Sequence, residues 1–208
     1  FAHPLSRADK KLISFGQSAR EVYMVDKQRA ENAVRELIAA MGEDAGREGL
    51  KDTPARVARM LEELTAGYSD SAEKHLSKTF SEGGSALVVE RDISFSSTCE
   101  HHLMPFFGRV HIAYVPDGRV AGLSKLARTV DVYARRLQLQ ERMNAEIADA
   151  LFLHLAPKGV AVVVEAEHTC MTARGVKKIG STTVSYAVRG EIPSSVVAML
   201  MSYAGERR

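Results

Sequence analysis

From Asp26 onward the apolar positions Ala30, Val34, Leu37, Ile38 and Met41 recur at helical spacing, and Gly42 follows where a C-terminal cap belongs. The pattern predicts an amphipathic helix. After a loop holding Gly46 and Gly49, Thr53 suits an N-cap with Pro54 at the first helical position. Val57, Met60, Leu61 and Leu64 then form the buried stripe of a second helix as far as Gly67. Residues 69–84 are polar and without a clear period, so they read as a connecting loop.

The period then changes. Residues 86–98 and 108–115 are rich in β-branched and aromatic side chains, and the second stretch ends at the turn Pro116-Asp117-Gly118, which predicts two adjacent antiparallel strands. Two helical stripes follow. One runs over residues 124–136 (Leu126, Val130, Ala134), the other over Gln140–Leu155 (Met143, Ile147, Leu151, Leu155), stopped by Pro157 and Gly159. Strands at 160–168 and 181–189 and a short helix at Ser194–Tyr203 complete the chain. Helices, a strand pair, helices and a strand pair describe an α+β fold, an antiparallel sheet with helices packed on one face. An N-terminal helical section, residues 1–68, precedes this α+β domain, residues 69–208.

Composition narrows the function classes. Of 208 residues 45% are hydrophobic and 26% charged, enough for a real core, and Lys plus Arg exceed Asp plus Glu by 28 to 26. A net charge of +2 gives no support to a nucleic-acid-coating protein, so any basic site is local. No run approaches the roughly 20 apolar residues that span a bilayer, and residues 1–11 lack the apolar run of a secretory signal. The expectation is a cytoplasmic protein with neither a membrane nor a nucleic acid as partner.

Both cysteines stand beside histidines, in Cys99-Glu100-His101-His102 and His168-Thr169-Cys170, which makes metal chemistry the leading question. Cys99-x-x-His102 after a strand is a common zinc spacing and weak evidence alone. His168 and Cys170 are expected at a strand end, where residues two apart face one side, so they can share a pocket. Catalytic zinc sites use three protein ligands and leave a vertex to water; Cys99, His102 and Cys170 fit that count and leave a nearby histidine for acid/base work. Two bland readings compete, buried free thiols and a four-ligand structural zinc site. His111, inside a strand, and His154, at a helix end, read as structural, and His3 and His75 as solvated.

A second constellation is cationic. Ser124 suits the N-cap of a helix whose Lys125 and Arg128 lie three apart on one face, which makes a good anion site. Arg56 and Arg59 repeat that spacing on the second helix, and Arg174 follows the His168 and Cys170 pair. Each of these cations taken singly is more readily read as the solvated face of its element. Glu141, next to Gln140 at a helix start, either complements the helix dipole or accepts from the donor edge of a guanine.

With these residues assembled, the chain resembles GTP cyclohydrolase I. The resemblance runs from about residue 26 to 189, through the block from Ser97 to Phe106, the segment from Gly122 to Arg128, Tyr133 to Arg136 with Gln138 to Met143, and His168 to Val176. It implies Cys99, His102 and Cys170 as ligands of Zn2+, with His101 and His168 as the acid/base pair. Glu141 and Gln140 would lie on the guanine side, with Ser124, Lys125, Arg128, Arg174, Arg56 and Arg59 on the triphosphate side. It further implies GTP as substrate, formate and 7,8-dihydroneopterin triphosphate as products, and the first step of folate and pterin synthesis. The tunnelling fold of the family joins its sheets into a barrel within a homodecamer whose sites combine residues of neighbouring subunits. Departures lie mostly at the ends, residues 1–25 and 191–208, with Tyr186 standing where a small residue is usual.

The rivals are a different enzyme on the same fold, with an all-histidine zinc site or a metal-free cysteine, and a zinc-stabilised binding module without activity. The paired cysteines argue against the first, and His101, His168 and Glu141 against the second.

Overall fold

The structure is a computed structural model that describes residues 24–81 and 86–205. His3 and the unmatched residues 1–23 lie outside it. The chain divides into two compact units between Ser69 and Asp70.

The first unit holds two helices that pack on each other, α1 (Lys27–Ala40) and α2 (Thr53–Leu64). Asp26 caps α1 through its side chain, which accepts from the Arg29 N–H at 3.0 Å. α2 begins one residue earlier than its sequence suggests. Asp52, not Thr53, holds the cap position, so Pro54 is the second helical residue, where its missing N–H is still harmless.

In the second unit the expected loop over 69–84 contains a short helix, α3 (Ala72–Leu76), and a strand, β1 (Thr79–Ser81). β1 pairs antiparallel with β4 (Arg119–Ala121). The main sheet comprises β2 (Val88–Cys99), β3 (Pro105–Val115), β5 (Leu137–Gln138), β6 (Gly159–His168) and β7 (Thr182–Gly190), in the order β5-β2-β3-β6-β7. Pairing is antiparallel throughout β2, β3, β6 and β7, but the two-residue β5 runs parallel to β2, so the sheet is mixed and not purely antiparallel. The helices are α4 (Leu123–Ala134), α5 (Gln140–Leu155), the single turn α6 (Thr169–Thr172) and α7 (Ser194–Tyr203).

The expectation of helices on one face alone is corrected. The stripes of α4 and α5, Leu126, Val130, Ala134, Met143, Ile147, Leu151 and Leu155, bury Val110, Ile112 and Tyr114 of β3 with Val160, Val162 and Val164 of β6. The residues between these, Ala113, Ala161 and Val163, point the other way and meet Val196, Leu200 and Ala204 at the C-terminal end. Strands covered on both sides read as continuous apolar runs, and β6 is one. Gly108 marks the tightest approach: a Cβ there would stand 1.8 Å from the Glu165 carbonyl oxygen. No helix among the described residues is long and apolar enough to cross a membrane.

Candidate active site

The sheet register creates the site. Thr98 of β2 and His168 of β6 flank the start of β3, opposite Pro105 and Phe106 respectively. The exits of two strands that never touch are therefore brought to either side of one strand end. At the first exit the chain turns sharply: the Leu103 N–H donates to the Cys99 carbonyl at 2.8 Å and the Cys99 N–H to the Met104 carbonyl at 2.9 Å, with Leu103 left-handed at φ 54°. That turn exposes His101 and His102 at its tip and leaves Cys99 buried behind them.

At the second exit, β6 ends at His168 and Cys170 lies inside the turn α6. Helical winding, not the strand alternation expected from the sequence, carries Cys170 into place. The Thr169 hydroxyl donates to the Pro105 carbonyl at 2.6 Å and ties this turn to β3.

The result is a cluster in which one ligand atom each from Cys99, His102 and Cys170 lies within 4.8 Å of the others. Tetrahedral zinc with bonds of ~2.1–2.3 Å needs ligand atoms roughly 3.5–3.8 Å apart, so a small closure would complete the coordination. Among the described residues no other group of three such donors occurs, and no fourth Cys, His, Asp or Glu joins this one. Burial pushes the Cys170 thiol up, Cys99 adds to the effect and Arg174 opposes it. Two thiols so placed disfavour ionisation until a cation joins them, which is the environment of a thiolate metal site. The Arg174 guanidinium reaches His102 Nε2 at 3.3 Å.

Beside this cluster His168 is fixed on two sides. Its ring stacks on the buried Phe106 ring, centroids 4.7 Å apart and planes 6° from parallel. Its Nε2 lies 2.8 Å from Gln140 Oε1. The other end of the Gln140 amide, Nε2, faces the carbonyls of Val164 and Thr183 at 3.1 and 3.0 Å and Ser185 Oγ at 3.1 Å. Carbonyls only accept, so the amide orientation is determined, its oxygen must accept, and His168 Nε2 must donate. The nitrogen left for chemistry is Nδ1. Burial lowers the His168 pKa and the Glu141 carboxylate works to raise it.

Gln140, expected on the guanine side, is 1% exposed, and its amide meets His168 and the sheet. Glu141, one residue on, is exposed in the first turn of α5 and forms no hydrogen bond or ion pair with another described residue. His101 is exposed, its ring nearly perpendicular to that of His102.

Gly122, not Ser124, occupies the N-cap of α4. Ser124 and Arg128 are exposed and Lys125 half-buried, and no hydrogen bond or ion pair joins them to the metal cluster among the described residues. Arg56 and Arg59 lie exposed on the separate helical unit, Arg56 beside Asp52 at 3.5 Å.

The remaining described histidines lie apart from the metal cluster. His111 is buried, its Nδ1 accepting from the Asp92 N–H at 3.2 Å. His154 is half-buried at the end of α5. His75 is not solvated, as its polar neighbours suggested, but 7% exposed and 2.6 Å from Asp70. Sequence reasoning missed Phe106 as the platform under His168, because only the β3–β6 register pairs them.

Comparison with known proteins places the chain in a family. The sequence profile of the family GTP cyclohydrolase I matches residues 30–202. GTP cyclohydrolase 1 of Streptococcus pneumoniae strain Spain 23F-1 is 58% identical over 166 residues, 80% of this chain and 90% of that protein. The same holds for the GTP cyclohydrolase 1 of Streptococcus pneumoniae serotype 19F strain G54. Among solved structures, the archaeosine synthase QueF-Like in its apo form aligns with 54% of this chain at a TM-score of 0.44 and 22% identity. The family match covers both cysteines, the histidine block and the start of α5, and the chain belongs to the GTP cyclohydrolase I family of enzymes.

Proposed function

We propose that this chain opens the imidazole ring of the guanine of GTP by hydrolysis, releasing C8 as formate and yielding 7,8-dihydroneopterin triphosphate. The carrying observation is the convergence of Cys99, His102 and Cys170 within 4.8 Å beside a histidine whose tautomer is fixed. Cys99, His102 and Cys170 hold Zn2+ in this reading. When bound, zinc lowers the pKa of water toward neutrality and supplies a nucleophile at pH 7.

The chain's own residues do the rest. His168 presents Nδ1 to purine N7 and protonates it, while Gln140 holds Nε2. A pKa lowered by burial makes the imidazolium a stronger acid and reduces its population at neutral pH; the Glu141 charge offsets part of that reduction. Glu141 also accepts from the N1–H and amino edge of guanine. His101, exposed at the loop tip, serves the later proton transfers. Ser124, Lys125, Arg128 and Arg174 neutralise the triphosphate. The protein assembles as a homodecamer in which neighbouring subunits complete each site, and it works in the cytoplasm as the first enzyme of folate and pterin synthesis.

Purified protein incubated with GTP should produce the absorbance and fluorescence of a pterin, lose this activity on chelation and regain it with zinc. No pterin from zinc-loaded protein would end the proposal. Cys170→Ala and His102→Ala should each lose zinc and turnover together. His168→Ala should keep zinc and lose ring opening by ~100-fold or more; equal loss of metal would show it to be a ligand instead.

A further inference from the structure

The first turn of α5 carries a charge that its backbone disfavours. Arg142 is the third residue of this helix, near the positive end of its dipole. What holds it there is Glu100. Arg142 Nη1 donates to Glu100 Oε2 at 2.6 Å and Nη2 to Oε1 at 2.8 Å, a parallel two-bond fork between residues 42 apart in the chain.

The two ends of this fork lie on the two halves of the site. Glu100 stands between Cys99 and His101 in the metal loop, and Arg142 follows Gln140 and Glu141. The backbone link between loop and helix is thin: the two-residue β5, extended by the Glu100 N–H donating to the Gln138 carbonyl at 3.1 Å. With 44% and 29% side-chain exposure the pair contributes little to folding, so its value is geometric.

We propose that Glu100 and Arg142 are positioning residues for the reaction, a clamp that sets the metal loop against the first turn of α5. The clamp also occupies the guanidinium that neighbours Glu141 in the chain, so the Glu141 carboxylate stays free to take a guanine edge. This rests on the reading of Glu141 and the metal loop given above.

The test is a double-mutant cycle on the zinc-loaded protein, Arg142→Met, Glu100→Gln and both together, with Arg142→Lys as the conservative variant. Each single variant should keep stoichiometric zinc and a melting temperature close to that of the unaltered protein. Each should lower kcat by ~10-fold or more through misplacement of reacting groups; KM for GTP should change little in Arg142→Met and rise in Glu100→Gln, which releases the guanidinium beside Glu141. The double variant should be no worse than either single, since a pair is lost only once. Arg142→Lys, keeping the charge without the fork, should recover part of kcat.

Single variants within twofold of the unaltered kcat, losses that multiply in the double, or activity that falls in step with zinc content would each overturn the clamp. An unaltered protein that does not turn over GTP would overturn the reading of the site, and the clamp with it.

Discussion

Gln140 shows how much one buried amide can determine. Its nitrogen faces two sheet carbonyls and its oxygen faces His168, so one side chain fixes a ring tautomer and joins α5 to β6 and β7 at once. Gln140→Leu preserves the volume and removes all of these partners. Two carbonyls and an imidazole N–H then lose their bonds, which should destabilise the fold by about 1–3 kcal/mol in denaturant unfolding. Zinc should stay, because no ligand is touched, and kcat should fall ~10–100-fold as His168 loses its fixed orientation. A kcat within twofold of the unaltered enzyme would show that stacking on Phe106 suffices to aim the ring. At this scale the cluster of Cys99, His102 and Cys170 was legible in the sequence, because cysteine and histidine at metal spacing stand out. The role of Gln140 was not, since residue type and position cannot distinguish an amide that meets a ligand from one that meets a histidine. Arg142 did leave a signal, a cation at the wrong end of a helix, which marks a charge compensated elsewhere.

Among the elements, α5 with its long stripe and α7 with its short apolar run begin and end where the sequence places them. α3 was not legible, because five residues with only Ala72 and Leu76 as apolar anchors offer no period to read. Its entry is held by Asp70, whose carboxylate accepts from the Ser71 N–H at 2.8 Å and meets His75 Nε2 at 2.6 Å. Burial acts to raise the Asp70 pKa, but the His75 and Ser71 bonds outweigh it and hold the carboxyl below its ordinary value. A carboxyl depressed on folding stabilises the native state above its unfolded pKa and loses that contribution as pH falls through the folded value, here below about pH 4. Asp70→Asn should therefore lower the melting temperature at pH 7 and flatten its decline toward pH 3. Parallel melting curves for the two proteins over that range would show the pair to be inert. The second sheet face belongs to the same scale. The continuous apolar run from Val160 to Val164 and the apolar composition of α7 together encode cover on both sides, and a reading of strands by alternation alone overlooks it.

Across the whole molecule, the α+β class follows from the order of periods along the chain, whereas the parallel β5 follows from nothing in its two residues and arises from the path between α4 and α5. The sheet ends at β7, which pairs with β6 on one side only among the described residues. Nine residues of strand edge with Val184 38% and Tyr186 61% exposed make a surface that proteins ordinarily cover, charge or interrupt. Among the described residues the middle of the strand carries no charge: Val184 and Tyr186 share one side and the intervening Ser185 is engaged by Gln140 and Asn144. The proposed decamer would use this edge to continue the sheet from one subunit into the next. Light scattering should then give a mass near ten times the 22.8 kDa of one chain. Lysine at both positions, Val184→Lys with Tyr186→Lys, sets like charges where two edges must meet and should reduce that mass. The far-ultraviolet circular dichroism should remain, because neither side chain belongs to the core on either face. Turnover should fall with the mass if neighbouring subunits complete each site, and a full-size, fully active double variant would place the subunit contacts elsewhere.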